Sequence, residues 1–142
     1  MYRSFLVVCA RRIILDSLTN QLSVIDIFEG LKSQGFPIVV PSLSALFYLR
    51  RDESDPDTQT FTLRCTVGEI EILATQVEVR FEVGITARSI INFEGFLIPS
   101  PGILRLELFQ GQSSLGSFEL PIEKLEAPSP TVRVSPVPAG DV

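Results

Sequence analysis

Between residues 59 and 122 the chain alternates apolar and polar side chains almost without interruption. Phe61, Leu63, Cys65 and Val67 alternate with Thr60, Thr62, Arg64 and Thr66, and Val77, Val79, Phe81 and Val83 alternate with Gln76, Glu78, Arg80 and Glu82. Successive side chains on a strand point to opposite faces, so each run predicts a strand with one buried and one wet face. The same pattern with turn signals between runs recurs along the chain. It predicts strands over 4–10 (with 11–15 as an extension past a kink), 21–28, 42–50, 58–67, 72–83, 87–98, 103–110 and 115–122. The expected class is all-β, an antiparallel β-sandwich of about eight strands, immunoglobulin-like or C2-like. The polar stretch 29–35 reads as a connection with room for one helical turn.

The organisation expected is one sandwich domain over 1–125, a length that can bury a sizeable core, followed by a tail over 126–142. Pro128, Pro130, Pro136 and Pro138 give that tail an extended, polyproline character. Within it, Thr131, Val132, Arg133 and Val134 keep a short strand-like alternation.

Composition excludes several functions. The chain contains no His, which removes the commonest general base and metal ligand, together with every Ser-His-Asp or Cys-His arrangement within one chain. The net charge of −5 argues against binding nucleic acid through its phosphates. No apolar stretch reaches the roughly 20 residues of a spanning helix, since Pro37, Pro41, Ser42 and Ser44 interrupt the longest. Phe5 to Cys9 is too short for a lipoprotein-type signal. Cys9 and Cys65 each sit in an apolar strand pattern and read first as free buried thiols, with a disulfide or a reactive thiol as the other readings. The expected location is the cytoplasm.

Several patches stand out: Cys9-Ala10, then Asp16 followed by the run Thr19 to Glu29, then Phe36-Pro37, and finally Pro101 to Leu106 before a hairpin. Together they resemble a widespread family of small bacterial proteins described only as a domain of unknown function. The resemblance spans about residues 4 to 123 and implies a compact bacterial β-sandwich. It implies no activity and supplies no catalytic residues. The proline-rich tail stands outside the shared pattern.

Two constellations are candidates for function. Asp52, Glu53, Asp55 and Asp57 crowd one loop, and calcium takes several carboxylate oxygens from such loops. Asp52, Asp55 and Asp57 are therefore the candidate calcium ligands, against the plainer reading of a solvated turn. Paired carboxylates for glycoside hydrolysis find no set pair and no Trp platform here. The second constellation is apolar: Leu46 and Tyr48, like Ile103 and Phe109, fall on the phase of their strands that faces water. An apolar outer face usually packs against something, either a partner or the chain's own tail. Val132 and Val134 complete the set, as a segment able to add to an open sheet edge. Arg11-Arg12 and Arg50-Arg51 read as surface charge at strand ends. The expectation is a non-enzymatic interaction or structural module without cofactor, self-associating or part of a larger assembly. The alternative is a C2-like module binding calcium or an anion at the 52–57 loop.

Overall fold

The computed structural model describes residues 1–82 and 84–126. Among them are nine strands and no helix: β1 (Arg3–Leu15), β2 (Leu22–Ile27), β3 (Leu31–Ser33), β4 (Ile38–Arg50), β5 (Thr58–Val67), β6 (Ile70–Arg80), β7 (Thr86–Ile98), β8 (Gly102–Gln110) and β9 (Ser113–Lys124). They form a four-stranded sheet, β2-β1-β4-β7, and a five-stranded sheet, β3-β9-β8-β5-β6.

The strand count of about eight is corrected to nine, and the added strand is β3. Where a polar connection with a helical turn was expected, Leu31 to Ser33 pairs in parallel with Ile122 to Lys124. All other ladders are antiparallel. Three residues carry no readable period. The strand forms because Leu31 packs on the core while the amide of Leu125 donates to the Ser33 carbonyl (2.9 Å is typical; here 2.8 Å).

The two sheets share one core. From the four-stranded sheet come Cys9, Leu43, Ala45, Phe47, Leu49, Phe96 and Ile98. The five-stranded sheet answers with Phe61, Leu63, Cys65, Val67, Val79, Leu104, Leu106, Leu108, Leu120 and Ile122. Each is the apolar phase of its strand, so period-two patterning places them inside. Burying such a side chain contributes roughly 1.5–3 kcal/mol, which makes this core the main source of stability. Tyr2 closes one end. Its ring stands edge-on to Phe61 at 5.3 Å, and its hydroxyl donates to the Pro56 carbonyl at 2.7 Å.

β1 does not stay in one plane. It pairs with β4 from Arg3 to Ala10, and from Ala10 onward its ladder is with β2. The far end of the β1–β2 hairpin folds back over the outer face of its own sheet. There Ala10, Ile13 and Leu46 form a second buried cluster, with Val8, Leu22, Tyr48 and Ile90 packed against it. The hairpin turn reaches β7, where Arg88 holds Asn20.

Candidate functional site

Leu46 pairs with Val8 on one side and Ile90 on the other, and Tyr48 pairs with Arg88. All lie on the face of β4 opposite to Leu43, Ala45, Phe47 and Leu49. The folded-back hairpin covers this face, so Leu46 is only 2% exposed and Tyr48 is half-buried. The cover expected from a partner or from the tail is thus supplied by residues 11 to 22.

Ile103 and Phe109 sit elsewhere, on the outer face of the five-stranded sheet. The structure therefore does not join them to Leu46 and Tyr48. Ile103 is 46% exposed beside Pro121. Phe109 is half-buried under the Arg64 guanidinium, which stands 5.2 Å from its ring centre. Ion pairs dominate around them: Arg105 with Glu119 at 2.6 Å and Arg64 with Glu71 at 3.0 Å. This is a solvated sheet face, laced with exposed pairs that are each worth little. Val132 and Val134 lie outside the described residues, as does the tail beyond Glu126.

The acidic loop is tied up by the protein itself. The Met1 amino group lies 2.7 Å from Asp52 Oδ2 and also contacts Asp55, and Arg3 reaches Asp52 at 3.4 Å. The amide of Asp52 donates to Asp55 Oδ2 at 2.9 Å. The ammonium of Met1 holds both carboxyls below their ordinary value. Asp57 does not join them, and its carbonyl instead accepts from the Phe81 amide at 2.7 Å. Among the described residues, no three acidic or sulfur groups converge as a metal site.

Arg51 is a residue whose role the sequence concealed. Its Nη1 donates to the Asp55 carbonyl at 2.7 Å and its Nε to the Gly84 carbonyl at 3.1 Å. Its guanidinium also stands over the Phe81 ring at 5.7 Å. It fastens the loop after β4 to the loop before β7. Nothing in the local pattern separates such a clamp from the neighbouring Arg50.

The thiols are core. Cys9 and Cys65 are free, each is fully buried, and burial pushes both up to about 12. Thiolate chemistry requires the opposite environment.

A groove of about 650 Å³ lies between the hairpin and the β6–β7 corner. Leu22, Tyr48, Ile90 and Phe81 supply its apolar lining, with Arg80, Glu82 and Arg88 at its rim. Arg88 is already engaged by Asn20, and Arg80 by Glu78 at 3.2 Å.

The sequence pattern of one family of unknown function, DUF6941, matches residues 5–123. The chain belongs to that family. The matched span runs from β1 into β9 and so takes in both sheets, and it stops short of the tail. No curated protein matches the chain. Among the described residues of this DUF6941 member, no helix is long and apolar enough to cross a membrane.

A further apolar surface lies on the hairpin itself. Ile14, Leu15, Leu18, Val24, Ile25 and Ile27 are all exposed, Leu18 at 94%. Apolar residues gathered on one hairpin differ from the scattered exposure normal for a protein surface. The sequence signal was present in the switch of apolar phase between Val24 and Ile25. That switch reads as a bulge or two-sided burial, and it marks a strand with apolar residues on both faces.

Proposed function

We propose that this protein is a non-enzymatic interaction module that self-associates or joins a larger assembly. The observation that carries the reading is the exposed apolar β1–β2 hairpin, with Leu18 at its tip and Val24, Ile25 and Ile27 along β2. The association surface moves accordingly. Leu46 and Tyr48 act through the hairpin that they hold in place, and the C-terminal tail with Val132 and Val134 remains a second arm. Ile103 and Phe109 become peripheral to it.

The absence of His from the chain and the raised thiols of Cys9 and Cys65 support the non-enzymatic part. The shared core between two sheets supports a β-sandwich of immunoglobulin-like or C2-like type. Free buried cysteines support a reducing compartment, and we read the location as a bacterial cytoplasm.

The test is the native mass by light scattering, for the full chain and for a version ending at Leu125. A multimer of the full chain is the expected result. Loss of association in the shorter version assigns the contact to the tail. A monomer at every concentration, in both versions, removes self-association and leaves a heterologous partner.

A further inference from the structure

Two sheets that are not closed into a barrel leave four edge strands, and proteins normally protect such edges. Three of them here carry recognisable protection. β6 displays Glu71, Glu78 and Arg80 along its length. β7 carries Arg88 and Glu94 and contains Gly95 in a left-handed conformation, φ +64. β3 is three residues long, with Lys32 paired to Glu123 at 3.7 Å. Short strands, charges and local kinks all discourage pairing with another chain.

β2 shares only the kink, at Asp26 with φ +56, and its first four residues, Leu22 to Ile25, carry neither charge nor proline. Its sequence is Leu-Ser-Val-Ile-Asp-Ile, with one charge and no proline, and Ser23 to Ile27 are all exposed. Asp26 stands near its end and is balanced within the same chain by Arg11 at 3.6 Å. Among the described residues, only β1 pairs with it.

The ladder phase shows which backbone groups stand open. The amide of Asp16 donates to the Gln21 carbonyl at 2.9 Å, so Gln21 turns its backbone groups toward β1. Direction alternates residue by residue in an antiparallel ladder. The register from Leu15↔Leu22 to Arg12↔Ile25 is regular. Ser23 and Ile25 therefore also bond to β1, while the N–H and C=O of Leu22 and Val24 point to the open edge.

We infer that β2 is the site at which a second copy of this chain adds, antiparallel and about a two-fold axis, to make one continuous sheet through β2. The inference rests on the association reading above. Centred on Ser23, the pairing sets Leu22 opposite Val24 of the partner subunit, and the reverse, so that the open donors and acceptors satisfy each other. Asp26 lies three residues from the axis at Ser23, so the two carboxylates stand at opposite ends of the pairing. The strand is about 20 Å long at the usual rise. The contact therefore belongs at the small end of the interface range, with roughly micromolar affinity.

The experiment measures dimerisation by analytical ultracentrifugation over a concentration series. It compares the full chain, Val24→Pro, Ile25→Lys and a chain ending at Glu126, with circular dichroism to confirm folding. Val24→Pro removes an open-edge donor without touching a β1 bond, and Ile25→Lys places a charge on the edge. Each is expected to weaken the dimer by roughly tenfold or more while the fold remains, and the chain ending at Glu126 is expected to dimerise like the full chain. Should Val24→Pro fail to fold, Ile25→Lys decides. A folded variant that dimerises as strongly as the parent overturns the edge pairing and leaves self-association standing. Loss of the dimer on removing the tail overturns it in favour of the tail as occupant. A full chain that stays monomeric overturns both this inference and the self-association reading.

Discussion

Arg88 Nη2 donates to the side-chain oxygen of Asn20 at 2.7 Å, and its Nη1 donates to the Asn20 carbonyl at 3.2 Å. These residues are 68 positions apart. Asn20 ends the β1–β2 turn with φ +59, a conformation that Asn tolerates better than most residues. The contact latches the hairpin tip to β7, across the outer face of the sheet. Beneath it lie Leu46, Ala10 and Ile13, which would otherwise face water.

Replacing Arg88 with Met keeps much of the aliphatic stem and removes both hydrogen bonds. The site is exposed, so the expected cost is only about 1 kcal/mol. Its signature is local: hydrogen exchange should quicken over Leu22 to Ile25 while β5 and β8 keep their protection. Arg88→Lys should restore little, because a single ammonium does not reproduce the fork that holds two acceptors. Uniform loss of protection across the molecule would refute the latch.

Much of the fold was legible from alternation alone. β5, β7 and β8 begin and end within one residue of the spans expected from periodicity, because each has one core face and one wet face. β3 was not legible, since a three-residue strand is made by its neighbours rather than by its own pattern. The folding-back of β1 was equally hidden. Residues 11–15 read as an extension of the strand past a kink, and only tertiary contact shows that Ile13 packs with Leu46. That contact also accounts for the apolar outward phase of β4, for which the sequence pointed to a partner or the tail. A calcium site at the acidic loop stood beside the plainer reading of a solvated turn, because the sequence does not show that Met1 and Arg3, 49 to 54 positions away, face Asp52 and Asp55.

Leu46 and Ile103 looked equivalent in the sequence and are not equivalent in the structure. Leu46→Ala removes a side chain from a closed cluster and should cost about 2–3 kcal/mol. Ile103→Ala, on a solvated face, should stay within about 0.5 kcal/mol. Urea denaturation of both variants checks the contrast, and equal losses would mean that the hairpin does not seal the outer face of β4.

Gly102 opens β8 with φ +147, and a Cβ there would meet Val67 Cγ1 at 3.3 Å. Both the backbone and the space disfavour any other residue. Gly102→Ala should therefore destabilise by about 1–3 kcal/mol. Thermal melting against Gly35→Ala, where nothing lies within 4 Å and φ is unexceptional, provides the control.

Calcium should leave the melting temperature unchanged. Binding would have to displace the Met1 amino group and Arg3 from Asp52 and Asp55. Hard cations need several oxygens at once. A rise in melting temperature with millimolar calcium that Asp55→Asn abolishes would revive the loop as a cation site.

Alkaline pH tests the core more directly. The thiols of Cys9 and Cys65 are pushed by burial from an ordinary value of 9.0 up to about 12. Above pH 9 the unfolded chain loses these protons and the folded chain keeps them. The unfolded state then binds fewer protons, so stability falls as pH rises. Between pH 9 and 12 each thiol's slope rises toward a limit of about 1.4 kcal/mol per pH unit, and well below pH 9 it fades away. Tyr2, whose hydroxyl is also raised by burial, adds a slope of the same sign from its ordinary value of 10.0 upward. Urea denaturation at pH 8, 9 and 10 should show this onset, and Cys9→Ala with Cys65→Ala should flatten it. At pH 8 a maleimide should label neither thiol until urea unfolds the chain. Rapid labelling of the native protein would mean that the two sheets part in solution and that the core is not closed.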